Sequence, residues 1–203
     1  MPGVASTESP WRTALGDDFA QLHPRLLAYF SAIPAGRVGR GTGTFDRVGT
    51  PRRWLWPLLC VLERRRILFP VWEHDVPFTI ENRPDGSALR AVRTFHFVEG
   101  DRLMVDIVST ERDRLGDRLV DRLGDGGRLR TALTASVLDG ALLLVSRSAR
   151  WGRLPIPFAP RLRLIERFDE AVGRQHVALT LESALVGRIY EYSGHFDYRI
   201  ENA

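Results

Sequence analysis

A chain of 203 residues with 44% hydrophobic residues is long enough to bury one substantial core, so a single domain is expected. Its 29 basic residues, all arginine, stand against 25 acidic ones for a formal charge of +4, and the signs alternate as in ERDRLGDRLVDRLGD, a solvated surface that argues against a nucleic-acid partner. The lone Cys60 excludes an internal disulfide and reads as a buried inert thiol. No stretch has the apolar length of a membrane span or the layout of a secretion signal, so a cytoplasmic protein is expected.

Residues 1–10, small and polar with two prolines, are expected to form a flexible tail, leaving 11–203 as one helix-capped domain. From Leu15 through Phe19, Leu22 and Leu26 to Tyr29 and Phe30, apolar residues recur at helical spacing, with Asp17 and Asp18 near the start, His23 placed to cap or turn the chain and Pro24 as a break or kink. AGRVGRGTGTFDRVG tempts a phosphate-loop reading, but no lysine follows and no apolar strand precedes it. A glycine-rich strand approached closely by another backbone is expected instead. PRRWLWPLLCVLERRRILF then carries a second helix, regular from about Pro57 and apolar enough to plug or cover a sheet. Its Arg64-Arg65-Arg66 run reads as a solvated helix end, with a clamp for an anionic headgroup as the rival.

Between Asp75 and Thr110, three runs rich in Val, Ile, Phe and Thr are separated by Asp85-Gly86 and Gly100-Asp101, the pattern of an antiparallel meander. Alternation puts Ala91, Arg93, Phe95 and Phe97 on one face and Met104, Asp106 and Val108 together on the next strand. Both faces are largely apolar, so something must cover each. Leu115, Leu119 and Leu123 lie four apart, which suits a short helix as well as a strand. A hairpin follows at Asp139-Gly140, then the proline-dense WGRLPIPFAP as a connection or edge segment. RLRLIERF, RQHVALTLES and RIYEYSGHFDYRIE complete the strands. With the last turn centred on 184–187, Leu181 faces Tyr190, Leu179 faces Tyr192 and Val177 faces Gly194 on the buried side, while His176 faces His195 outside. No third ligand accompanies the imidazoles at a recognisable spacing, so no metal is expected. The fold class is α+β: a strongly curved antiparallel sheet or barrel of about eight to nine strands, covered by two N-terminal helices.

The runs LGDDFAQLHPRL, RRRILFP with DVPFTIEN, VRTFHF, VDRLG and ERFDEAVGRQHVALTLESALVGRIYEYSGHF together resemble domain-of-unknown-function family 4166, from about Leu15 to Phe196. That family is similar across bacterial proteins that stand alone or carry this domain after a dinucleotide-binding, saccharopine-dehydrogenase-like portion. The resemblance implies a possible dinucleotide-binding oxidoreductase partner and supplies no catalytic signature. No nicotinamide chemistry, and no other cofactor, is expected of this chain.

A barrel of this kind can hold one small ligand. Arg93, stranded among phenylalanines, demands an acidic or anionic partner, and Asp106, Asp121, Glu81 and Glu166 are the protein candidates. An internal ion pair is the plainer reading and an anion site the sharper one. Tyr190 and Tyr192 can turn hydroxyls into a cavity, and His96 lies among valines. The expected function is binding of an apolar or amphipathic small molecule in an internal pocket lined by these residues. The alternatives are a cofactor-independent pocket enzyme of isomerase or cyclase type, and an accessory or regulatory domain for an oxidoreductase.

Overall fold

The computed structural model describes residues 8–113 and 116–203. The expected tail falls outside the described residues up to residue 7, and by Ser9 the chain is ordered. The Ser9 hydroxyl accepts from the Arg12 amide at 3.1 Å, and Pro10 takes the first helical position. The first amphipathic segment is two short helices, α1 (Pro10–Leu15) and α2 (Pro24–Phe30), joined by a 3-10 stretch, Gly16–Gln21. Gly16, at φ 55°, stops the first. His23 caps the second by accepting from the Arg25 amide, and Pro24 starts it. The third helix, α3 (Trp56–Glu63), carries Pro57 in its first turn and ends before Arg64-Arg65-Arg66. Three short helices therefore stand where two were expected.

Ten strands follow the glycine-rich β1 (Arg37–Gly49) around the molecule: β2 (Trp72–Asp85), β3 (Ala88–Phe97), β4 (Gly100–Asp113), β5 (Gly116–Leu123), β6 (Leu129–Leu138), β7 (Ala141–Trp151), β8 (Leu154–Pro155), β9 (Arg161–Asp169), β10 (Arg174–Ser183) and β11 (Gly187–Asn202). Each pairs antiparallel with its neighbour. β11 returns to β1 from Arg37↔Asn202 to Gly49↔Glu191. Ten strands thus close an up-and-down barrel, and β8 is a two-residue addition on the edge of β7. Closure removes the free edges an open sheet would leave. The count exceeds the expected eight or nine because the leucine-spaced segment 116–123 is a strand and the proline-dense link contributes β8.

The register of the last hairpin is the one its alternation predicts: Leu181↔Tyr190, Leu179↔Tyr192, Val177↔Gly194 and, on the outer face, His176↔His195. β1 has glycine at inward positions because aromatic side chains fill the space. A Cβ on Gly39 would meet the Tyr198 hydroxyl at 1.5 Å, and one on Gly43 would lie 2.2 Å from the backbone oxygen of His195. The second obstacle is backbone and cannot swing away. Gly43→Val is therefore expected to cost about 3 kcal/mol, the upper end for overpacking, read as a lower urea midpoint at unchanged slope.

Two aromatic and aliphatic clusters fill the barrel ends. Trp11, Leu15, Phe19, Leu26 and Phe30 pack against inward residues of β4, β5, β6 and β7, and the His23 amide donates to Gly140 at 2.9 Å. The N-terminal helices therefore stopper the end that carries the β6–β7 turn. At the opposite end Leu59 of α3 joins Phe69, Phe97, Met104 and Tyr190. There the stretch after α3 docks where β4 and β5 part: Val105 donates to the Arg66 carbonyl and Asp125 to that of Arg65, both at 3.0 Å. α3 turns its apolar face inward and leaves Cys60 exposed, which corrects the buried-thiol expectation. Among the described residues no second layer covers the outer wall. Its half-apolar strands are shielded by long charged side chains, such as Arg40 set between Glu81 and Glu201.

Candidate functional site

Between the two stoppers lies a cavity of about 490 Å³, within the size range of sites for drug-sized ligands. Most of its wall is aliphatic or aromatic. Leu55, Leu58, Leu59 and Leu62 come from α3, Leu133 and Leu144 from the barrel, and Trp11 and Phe30 from the floor. Leu58 and Val61, both more than half exposed, mark the mouth.

Polar groups converge deeper in. Arg93 on β3 and Asp106 on β4 form an ion pair through Nη1 and Oδ1. They lie diagonally, since Ala91 is opposite Asp106 and Arg93 opposite Met104. Asp106 is 4% exposed, and the fifth of the Arg93 side chain that remains accessible faces the cavity. Burial is the largest single influence and opposes the guanidinium's charge, but the Asp106 carboxylate together with Tyr192, Tyr29 and Asp121 outweighs it and drives the pKa above its ordinary value. Asp121 of β5 is half-buried beside the pair, with its Oδ1 shut off from solvent. Burial first and the Asp106 charge second raise its pKa well above the usual carboxylate range, against the pull of Arg93. Its Oδ1 has no protein partner among the described residues, and neither does the Asn82 carbonyl oxygen.

Glu166 of β9, 6% exposed, accepts from Gln175 Nε2 at 2.6 Å. Burial lifts its pKa to about 7, with Arg93 and Gln175 pulling the other way. Tyr192 is raised to about 12, mainly by burial, and Tyr29, set on α2 with its ring 4.6 Å from that of Tyr198, is raised as well. A side pocket of about 30 Å³ beside Tyr29, Arg93, Glu166 and Tyr192 has room for a water molecule. The chamber thus combines one paired guanidinium with two further carboxyl groups whose surroundings favour the protonated form. It can offer acid O–H donors to a bound oxygen, and it can pass a proton.

Of the seven candidate residues, five meet at this cavity: Arg93, Asp121, Glu166, Tyr190 and Tyr192. Glu81 and His96 do not. Glu81 lies on the outer wall, ion-paired with Arg83 at 2.6 Å and Arg40 at 3.2 Å. His96 faces outward to Asp101 at 2.8 Å. The same alternation that puts Arg93 inside turns His96 out. Tyr29, Asn82 and Gln175 escaped the sequence reading. Asn82 and Gln175 each carried a signal, since Asn82 shares the inward parity of Phe78 and Ile80 along β2 and Gln175 that of Val177 and Leu179 along β10.

The outer wall holds a different grouping. A bulge in β1, between Phe45 and Arg47 opposite β11, turns Asp46 toward the His176–His195 pair. Ligand atoms of the three lie within 4.8 Å of one another, and Asp169 meets His195 Nε2 at 3.1 Å. Asp46 is the third ligand type that linear spacing did not supply. A tetrahedral zinc shell needs ligand atoms about 3.4 Å apart, so these side chains would have to draw together around an ion. Arg167, opposite His176, opposes a cation there.

A family described as "Domain of unknown function (DUF4166)" matches residues 22–196. The chain is similar to uncharacterized protein YndH of Bacillus subtilis strain 168, with 26% identity over 188 residues that cover 86% of this chain and 90% of the relative. No solved structure matches. No helix among the described residues is long and apolar enough to cross a membrane.

Proposed function

The chain belongs to the DUF4166 family, and we propose that this member is a small-molecule-binding protein whose barrel takes an amphipathic ligand, apolar body toward α3 and polar end toward Arg93. The observation that carries the reading is the cavity itself: about 490 Å³ of largely apolar space with a few polar groups gathered at one depth. Because Asp106 already occupies Arg93, a fully anionic end gains less there than a hydroxyl or carbonyl. Such an end accepts hydrogen bonds from the Asp121 and Glu166 acids and meets the unpartnered oxygen of Asn82 when it carries a proton.

A second reading draws on the carboxyls. Asp121 and Glu166 resist ionisation while Asp106 is held by Arg93, and carboxyl groups held apart in this way are the raw material of acid-base catalysis in a dry pocket. An isomerisation or cyclisation would then use Asp121 or Glu166 as proton donor to the ligand's oxygen.

The test is native mass spectrometry of freshly purified protein, coupled to solvent extraction and identification of any released compound. Leu164 lines both the chamber and its side pocket. Leu164→Trp is expected to fill that space, abolish the adduct and lower uptake of the uncharged dye Nile red at least tenfold. A wild-type protein that takes up neither native ligand nor dye would sink the binding reading. A released compound isomeric with one supplied to it would favour the enzyme.

A further inference from the structure

The large apolar side chains exposed among the described residues gather at one end of the barrel. All except Leu138 and Val172 belong to the α3 end, on α3 and its approach or on the turns beside the cavity mouth. Trp54 is 61% exposed, Leu154 71%, Leu185 90% and Phe158 97%. Contiguous exposed apolar surface marks an interaction site more often than chance. The rim is also basic. Segments 50–71, 98–101, 124–128, 152–161 and 184–188 hold nine arginines against four carboxylates, so the excess at this end exceeds the +4 of the whole chain. Several of these arginines are held in place: Arg65 lies over the Trp151 ring at 5.8 Å, Arg53 over Trp56 at 5.5 Å, and Arg66 meets Asp125 at 3.3 Å.

We propose that this rim docks on the surface of an anionic phospholipid bilayer. Protruding Trp, Phe and Leu tips gain by entering the headgroup boundary, and arginines around them gain from the negative surface. The rim surrounds the cavity mouth, so docking would open the chamber directly onto the lipid layer. A second copy of the chain fits less well, because a two-fold contact would set this excess of arginines against itself. The docking claim stands on the rim alone. That the chamber then draws an amphipathic lipid from the bilayer rests on the binding reading above.

The experiment is flotation of the full chain with phosphatidylcholine vesicles, with and without phosphatidylglycerol as about a third of the lipid. Flotation is expected only with the anionic vesicles, and it should fade as salt rises. Phe158→Asp with Leu185→Asp should weaken it at least tenfold without moving the melting temperature, since both side chains project into solvent. Arg64→Gln with Arg65→Gln should weaken it and flatten the salt dependence. Absence of flotation, or equal flotation of the Asp variant, overturns the proposal. So does a concentration-dependent dimer that the Asp variant dissolves, which would give the rim to a second copy. Leu164→Trp separates the two readings: it should dock like the wild type yet carry no lipid away on re-isolation. A wild type that docks and also carries none upholds docking and defeats the binding reading.

Discussion

Replacing Arg93 by leucine is expected to cost the fold about 3–5 kcal/mol, the range for removing one partner of a buried ion pair. The loss is not that of a contact alone. Asp106 would remain in the chamber wall, nearly inaccessible, with its compensating cation gone. At roughly 2–4 °C per kcal/mol for a chain of this length, the melting temperature should fall by about 6–20 °C. The double variant Arg93→Leu with Asp106→Leu is the decisive control. It removes both charges and replaces them with apolar volume, and such replacements of buried pairs are often neutral or better. Recovery of most of the lost stability in the double variant identifies the pair as the reason for the loss. If the double variant melts as low as the single one, the cost lies in packing around β3 and the electrostatic account of the chamber wall is wrong. Nile red uptake separates architecture from function, because a refolded double variant keeps the cavity and loses only its ion pair.

The pair was half legible in advance. Arg93 alternates with Phe95 and Phe97, and Asp106 with Met104 and Val108, so a strand reading puts both inside. What brings them together is the register of β3 on β4, Ala91↔Asp106 and Arg93↔Met104. A tight connection around Gly100, at φ 121°, fixes that register. The β10–β11 hairpin was legible for the same reason. Its Leu and Tyr parity picks the register, and a bulge between Leu181 and Glu182 absorbs the one-residue shift to the Ser183↔Gly187 turn.

Other features are invisible to local pattern. Leucines four apart satisfy helix and strand alike, because four is near one helical turn and is also an even number. The barrel decides β5, which completes the wall between β4 and β6. Tyr29 reaches the cavity because α2 enters the barrel end, a tertiary placement that no period encodes. Asp46 joins the two histidines through a bulge, and a bulge breaks the very alternation by which faces are assigned. The clustering of exposed apolar residues at the α3 end was hidden because Trp54, Phe158 and Leu185 come from three separate segments, and only closure of the barrel brings those segments to one rim.

Glu166 should make this protein less stable as pH rises through the weakly acidic range, the reverse of an ordinary ion-paired carboxylate. Its folded-state pKa is about 7, against 4.5 for the same group in the open chain. Between those values the native state binds more protons than the unfolded state, so stability falls with pH there and levels off above. The gap corresponds to about 3 kcal/mol across that window, and Asp121, raised in the same direction, adds to the slope. Glu166→Gln keeps the shape of the side chain and an oxygen for Gln175 while removing the titration. The variant should therefore melt close to the wild type at pH 4 and well above it at pH 8, with the difference opening between pH 4.5 and 7. The same proton matters to the ligand. Above pH 7 the chamber loses an acid O–H and gains a negative charge, so affinity for a hydroxyl or carbonyl end should drop in the wild type and stay level in Glu166→Gln. Parallel pH profiles of melting for the two proteins would mean that Glu166 ionises freely in the fold, and the picture of a chamber that holds its acids protonated would fail with it.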